Sequence, residues 1–141
     1  MAHSYLNLYY HLIWHTKKNL PYLQGDVKRF VFNHIKRTCT KYSVKLVELN
    51  SIENHIHLLI NPRKWISIPD FVWEIKGKSS YDIKKMPNLN LNWQDGYAVF
   101  TVSEQEVEKL KKYIKNQEKN HLFLKIKLAP GYSPGLDMSF H

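Results

Sequence analysis

The order in which two hydrophobic periods alternate along the chain does most to limit its possible folds. Apolar residues recur at every second position in four segments and with helical spacing in three others. The strand-like segments are 5–15, "VKLVEL", "IENHIHLLI" and "YAVFTV", and the helix-like segments cover 26–42, 67–84 and 103–121. The first six elements follow the β-α-β-β-α-β order of the split βαβ arrangement. We therefore predict an α+β, ferredoxin-like antiparallel sheet with two helices on one face and a C-terminal helix that can cover the other.

Capping and turn residues mark where these elements should begin and end. Ser67 has the position and chemistry of an N-cap, and Ser103 followed by Glu106 has the spacing of a capping box. Asn50-Ser51 lies between the second and third strand segments, where turn-forming residues predict a hairpin. The last helix is therefore predicted to follow the fourth strand almost directly.

The length of the chain suits one compact domain. With 141 residues, the chain can bury a sizeable core, and we assign a single domain to 1–141 with a core at 5–121 and a tail at 122–141. A single cysteine, Cys39, excludes an internal disulfide and a cysteine-rich zinc site. No apolar run approaches the roughly 20 residues that span a bilayer, so we expect a cytoplasmic protein without a membrane partner.

The charge balance indicates a polyanionic partner. Lysine and arginine total 21 against 12 aspartate and glutamate residues, which gives a formal net charge of +9. A small domain this basic, with 13% aromatic residues, favours nucleic acid as the partner. The candidate DNA contacts are four basic side chains and one loop tryptophan: Lys17, Lys18, Lys76, Lys78 and Trp93. Most of the other tryptophans are assigned to the core.

Two histidines in the third strand segment are candidate metal ligands. His55 and His57 are two residues apart, so a strand sends both imidazoles to one face and Ile56 to the other, which we predict to be the core face. Such a pair is weak evidence by itself in a chain with 8 histidines. His11 and His15 share the polar face of the first strand segment and could lie near the site, although a structural role is the simpler interpretation for them.

The last helix can supply the missing chemistry. Tyr113 and Gln117 are four residues apart, so they are neighbours on one side of the helix, beside the apolar stripe of Val107, Leu110 and Ile114. If this stripe packs on the open sheet face, both side chains can meet the histidine pair. Two neutral imidazoles and an amide oxygen leave a divalent cation its full charge for a phosphate, and a tyrosine can attack that phosphate.

Five blocks of sequence carry a resemblance to a known family. The blocks are "YYHLIWHTKKNLPYL", "NHIHLLI", "EIKGKSS", "WQDGYAVFTVS" and "YIKNQEKNH". They occur in family order over residues 9–121. The chain resembles the single-tyrosine HUH transposases of insertion sequences of the 200/605 type, which move as single-stranded DNA, and the related REP-associated tyrosine transposases.

The resemblance implies a role for each candidate residue. It makes His55 and His57 the two-histidine metal motif and Gln117 the third ligand of Mg²⁺ or Mn²⁺. It makes Tyr113 the nucleophile that forms a 5′-phosphotyrosine and releases a 3′-OH. It also implies single-stranded DNA with hairpin ends as substrate, and a homodimer with composite active sites, in which one chain's tyrosine can serve the other's metal.

Other functions remain open at the level of sequence. One is a catalytically silent module that binds single-stranded nucleic acid, or a domesticated REP-associated tyrosine transposase. The domesticated branch usually has Asn-Pro after the tyrosine segment, and Asn116-Gln117 stands here instead, which favours the transposase branch. Another is a zinc enzyme or a zinc-stabilised domain, because imidazole suits zinc. A silent module would bind DNA without a covalent adduct, and a zinc protein would not need Tyr113.

Overall fold

The computed structural model describes residues 6–117, and they form four strands and three helices in the predicted order. The elements are β1 (Tyr9–His15), α1 (Gly25–Lys41), β2 (Val44–Ile52), β3 (His55–Pro62), α2 (Ile68–Lys84), β4 (Ala98–Val102) and α3 (Val107–Lys115). β1 begins four residues later than predicted. The predicted end of the last helix at residue 121 and the tail at 122–141 lie outside the described residues.

The four strands form one antiparallel sheet in the order β2-β3-β1-β4. This is the strand order of the ferredoxin-like fold, so the predicted fold class is confirmed. β1 and β3 are the central strands, and their register sets Ile13 opposite His57 and His15 opposite His55. Residues directly opposite each other share a face of the sheet, so the histidines of both strands project to the same side.

The main core lies between α1, α2 and the other face of the sheet. Ile56 is fully buried there, as the alternation in β3 predicts. The strands and helices that meet in this core contribute Leu12, Trp14, Leu58, Ile60, Val31, Ile35, Phe71 and Ile75. Helix α2 begins as predicted, since the Ser67 side chain accepts a hydrogen bond from the Asp70 backbone N–H at 3.2 Å. None of the helices in residues 6–117 has the length and apolar character needed to cross a bilayer.

Helix α3 covers the histidine face of the sheet. Val107 and Ile114 pack against Leu59 of β3 in a second, smaller apolar cluster, and Leu110 and Tyr113 contact its edge. The predicted stripe is therefore the packed face of α3. The helix lies over β2 and β3, so it covers one side of the histidine face, whereas Phe100 of β4, opposite His11 on the same face, is 43% exposed.

Two further predicted element ends are wrong. The β2–β3 turn is at Glu53–Asn54, whereas Asn50 and Ser51 belong to β2 and pair with β3. The pairing continues because Ser51 is fully buried and the Asn50 side chain is bound to α3. The Ser103 side chain makes no capping hydrogen bond, because a 3₁₀ turn at 104–106 precedes α3 and the Ser103 carbonyl accepts from the Glu106 N–H instead.

Candidate functional site

The four residues singled out by their chemistry lie together beneath α3. The Gln117 side-chain nitrogen Nε2 is 2.9 Å from Nε2 of His55. The ring of Tyr113 is 6.0 Å from the ring of His57 between centroids, at 78° to it. The rings of His55 and His57 are 5.1 Å apart. The strand and the helix thus place two imidazoles, an amide and a phenol around one point of the same chain.

The hydrogen bonds of His55 give it the tautomer of a metal ligand. Its Nδ1 is 2.8 Å from the side-chain oxygen of Asn54, which can only accept, so Nδ1 carries the proton. Nε2 then holds the lone pair, and it accepts from the Gln117 amide nitrogen. A carbonyl oxygen that holds the far nitrogen of an imidazole is the usual way to orient a histidine towards a metal.

Gln117 carries a buried acceptor that nothing in the described chain satisfies. The residue is 2% exposed, and its Oε1 has no hydrogen-bond partner among the described residues. Leaving such an atom unpaired costs about 1–3 kcal/mol. No group of three or more His, Cys, Asp or Glu side chains within residues 6–117 is arranged to hold a metal ion. A metal ion at this point would therefore need the amide oxygen as its third protein ligand. In this structure Gln117 Nε2 faces His55 Nε2, so the amide would rotate to present its unsatisfied Oε1 beside that lone pair, and after this rotation the donor set fits.

His57 and His11 form a buried hydrogen-bonded pair that the sequence did not reveal. Nε2 of His11 is 2.8 Å from Nδ1 of His57, and the rings stack at 5.0 Å. Burial lowers the pKa of His11 to about 4. Burial, together with the positive charge that His55 and its neighbours can carry, holds the pKa of His57 well below its usual range. Both imidazoles are therefore neutral near pH 7, as metal coordination requires.

The remaining histidine on this face of the sheet, His15, forms a second stacked pair with His55. Its ring lies 4.9 Å from that of His55, and its Nδ1 is 3.0 Å from the side-chain oxygen of Asn19. The alternation in β1 predicted that His11 and His15 share a face. What it could not show is the pairing of β1 with β3, which sets each of them beside a candidate ligand. The two histidines therefore lie near the site, which the sequence left open, and each of them contacts a candidate ligand.

The phenol of Tyr113 is protonated in the surroundings that the chain itself provides. The side chain is about half buried, and burial raises its pKa. Lys111, a cation on the same helix, lies 3.8 Å from Glu108, to which its charge is paired. Burial therefore opposes the ionisation of Tyr113, and a bound cation or a proton acceptor at the moment of reaction would favour it.

Two hydrogen bonds fix the end of α3 that carries these groups. The Asn50 side-chain nitrogen donates to the carbonyls of Ile114 and Lys115 at 2.9 and 3.1 Å. Helix ends leave such carbonyls without intrahelical partners, so an amide from β2 is a suitable clamp. It ties the turn between Tyr113 and Gln117 to the strand next to β3.

The predicted DNA contacts separate into two groups. Lys17, Lys76 and Trp93 line one open groove of about 490 Å³ beside α2. Lys18 is exposed in the turn after β1. Lys78 pairs with Glu74 at 3.0 Å. The structure therefore brings three of the five together, and the DNA contacts of all five stay predictions.

The assignment of most tryptophans to the core is wrong for two of them. Trp73 and Trp65 are 68% and 70% exposed. Trp14 is buried in the main core, and the indole N–H of Trp93 donates to the Ser79 hydroxyl at 3.1 Å. Helical spacing could not separate Trp73 from the core residues of α2, because apolar residues occur on the exposed side of this helix as well as on its buried side.

Comparison with known proteins identifies relatives of this chain by sequence. A family model described as "Transposase IS200 like" matches residues 4–117. The ISDra2 transposase TnpA of Deinococcus radiodurans is 30% identical over 118 residues, which are 78% of this chain and 84% of that protein. The transposase for insertion sequence element IS200 of Salmonella typhimurium is 29% identical over 124 residues, which are 83% of this chain and 81% of that protein.

Solved structures agree with the sequence relatives. The crystal structure of a putative transposase from Deinococcus radiodurans is 30% identical and superposes with a TM-score of 0.62, covering 83% of this chain and 96% of that one. The structure of a REP-associated tyrosine transposase bound to a REP hairpin has a TM-score of 0.69 and covers 100% of this chain and 93% of that one. Its identity is 11%, so that likeness concerns the fold alone.

Proposed function

The chain belongs to the family of IS200-like transposases, and from this premise we propose that it cleaves and rejoins single-stranded DNA through a 5′-phosphotyrosine on Tyr113. Membership makes it a DNA-binding enzyme of transposition that cleaves and transfers DNA strands. The observation that supports this mechanism is that four side chains lie close together at α3: Tyr113, Gln117, His55 and His57.

In the proposed reaction, the Tyr113 oxygen attacks a phosphodiester. A tyrosine–phosphate bond forms, the bond from phosphorus to the 3′ oxygen breaks, and the phenolic proton is replaced by one on the released 3′-OH. One phosphodiester is exchanged for another, so the energy of the bond is kept for rejoining and no external energy source is needed. The reverse attack by a 3′-OH joins the strands and frees the tyrosine.

Three side chains of the described chain are proposed to hold a divalent metal ion. They are His55 and His57, each through Nε2, and Gln117 through its unsatisfied Oε1, once the amide has rotated out of its hydrogen bond to His55 Nε2. A bound Mg²⁺ or Mn²⁺ would neutralise and polarise a phosphate oxygen. The chain's own part is orientation: Asn54 holds His55, His11 holds His57, and Asn50 holds the end of α3.

The direct test uses end-labelled single-stranded DNA from the flanks of the gene, with a hairpin, in Mn²⁺. A 5′-phosphotyrosine keeps the downstream fragment on the protein. We therefore expect a 3′ label to appear on denatured protein and a 5′ label to appear on a shortened strand with a 3′-OH. Binding without any adduct would support the silent module, and a 5′ label on the protein would reverse the polarity that we propose.

The His11–His57 pair gives a prediction about metal binding. A neutral His57 can offer Nε2 to a metal only if its Nδ1 carries the proton and donates to His11 Nε2. His11→Phe removes that acceptor, and we expect Mn²⁺ affinity to fall about tenfold or more. The measurement is the free Mn²⁺ signal in paramagnetic resonance, taken in the Tyr113→Phe background so that turnover does not interfere.

A matched control for this variant is His34→Phe. His34 is also a buried histidine, but it lies on the α1 side and contacts the carbonyl of Glu74. It should change stability without changing Mn²⁺ affinity. His11→Gln, which keeps an acceptor oxygen, should recover part of the loss. Wild-type Mn²⁺ affinity in a folded His11→Phe protein would show that His11 does not orient the ligand.

We further propose a homodimer with composite active sites as the working assembly, acting on hairpin-bearing single-stranded DNA. In the chain described here, α3 packs on its own sheet. In a two-fold exchange, α3 of each chain would make the same contacts on its partner's sheet, because the two surfaces are identical. The site geometry is therefore the same in both arrangements, and only the chain that supplies Tyr113 differs.

Mixing two inactive variants distinguishes these arrangements. Tyr113→Phe and His57→Ala chains are allowed to re-pair, and mixed dimers are confirmed by mass. With exchanged helices, one site of each mixed dimer has both defects and the other has none, so cleavage should return to about a quarter of wild type. A mixture that stays inactive would show that each tyrosine serves its own chain during cleavage.

A further inference from the structure

A groove beside α2 has the features of a site for an unpaired nucleotide. We call it the Trp73 groove, and its walls are one side of α2 and the segment 92–97. Its volume of about 490 Å³ is within the range of ordinary ligand sites. Trp73 stands at its wall with 68% of its surface exposed. The indole lies along α2 over Gly77, where an added Cβ would sit 3.6 Å from the ring.

The charges around the Trp73 groove are mostly positive. Lys17, Lys76 and Lys84 line it, against a single aspartate, Asp95. Lys76 donates to the carbonyls of Gln94 and Gly96 at 2.8 and 2.7 Å and so holds the wall in place. Lys17 and Lys84 are exposed, so their ammonium groups can meet phosphates. An exposed aromatic ring between lysines is the combination that binds single strands by stacking and charge.

The groove lies next to a second cavity that reaches towards the candidate active site. A second cavity of about 250 Å³ is lined by His15 and by the residues 94–97 that also form a wall of the Trp73 groove. The ring of His15 stacks on that of His55, one of the proposed metal ligands. A strand that leaves the proposed cleavage point along 94–97 would reach Trp73.

We propose that the Trp73 groove binds one unpaired nucleotide of the DNA strand close to the cleaved phosphodiester. The base stacks on Trp73, and the flanking phosphates contact Lys17 and Lys84. This inference rests on the proposed function for its substrate, single-stranded DNA. Stacking on an indole is tolerant of base identity, so the contact adds affinity and positions the strand more than it reads sequence.

The test compares two exposed tryptophans. Binding of single-stranded DNA is measured by fluorescence anisotropy without metal, in the Tyr113→Phe background, so that it does not depend on cleavage. Trp73→Ala should weaken binding about tenfold. Trp65→Ala removes an equally exposed indole, 70% against 68%, that does not line the groove, and it should leave affinity unchanged. Trp73→Tyr should recover most of the loss, because it restores an aromatic ring.

An abasic scan of the oligonucleotide identifies the contact itself. Removing one particular base should weaken binding to the parent protein about tenfold and have little further effect on Trp73→Ala, because the same contact is already lost. Two results would overturn the proposal: equal affinity of Trp73→Ala and Trp65→Ala, or an abasic effect that is as large in Trp73→Ala as in the Tyr113→Phe protein. A Tyr113→Phe protein that does not bind single strands would overturn it as well. A wild-type protein that binds in this way but forms no adduct would instead contradict the proposed function.

Discussion

Replacing Tyr113 by phenylalanine is expected to abolish the covalent protein–DNA adduct and to lower cleavage by about a thousandfold or more, while DNA binding is kept. The substitution removes the attacking oxygen and leaves the ring, so the packing against His57 and the edge of the Leu59 cluster changes little. Loss of a nucleophile is among the largest effects a single substitution has on an enzyme. The measurement is transfer of a 3′ label from single-stranded DNA to denatured protein.

The chain offers a close control for this variant. Tyr9 packs against the same small cluster as Tyr113 and also carries a phenolic hydroxyl. Tyr9→Phe should form adduct at close to the wild-type rate. The melting temperatures of both variants should stay near that of wild type, because each keeps its ring in place. Adduct formation by Tyr113→Phe at the wild-type level would remove Tyr113 from the role of nucleophile.

The topology could be predicted because each element has a clear hydrophobic period. The alternation sets the faces of all 7 residues of β1 and all 8 residues of β3, and a slip by one residue would bury the wrong set. The helical stripe of Val107, Leu110 and Ile114 likewise fixes which side of α3 meets the sheet. Because Tyr113 and Gln117 sit beside that stripe, packing of the stripe on the open sheet face brings them to His55 and His57.

The errors occurred where a local signal is overruled by a distant contact. Asn50-Ser51 is good turn chemistry, but Asn50 is bound by the end of α3, 64 residues further along the chain. The contact between His11 and His57 spans 46 residues and depends on strand register, which a single sequence does not state. Trp73 could not be told from a core residue, since its exposure depends on which side of α2 meets α1 and the sheet.

Replacing His57 by alanine is expected to lower the rate of metal-dependent cleavage about a hundredfold or more, while the protein still folds. His57 is 1% exposed, so the substitution also leaves a small void and deprives His11 of its partner. That should cost about 1–3 kcal/mol of stability, which a domain of this size can sustain. The main core is on the opposite face of the sheet and is untouched.

Stability and metal binding can be separated in this variant. His34→Ala removes a buried histidine from the far side of the sheet and should lower the melting temperature without lowering cleavage at temperatures where the protein is folded. If His57 is a ligand, raising Mn²⁺ should restore part of the cleavage by His57→Ala, because two protein ligands remain and affinity is what has been lost. If His57 were only a packing residue, added Mn²⁺ would restore nothing. Failure of His57→Ala to fold in metal-free buffer in which wild type folds would show that the imidazole is needed for structure, and the metal assignment would then have to rest on His55 and Gln117.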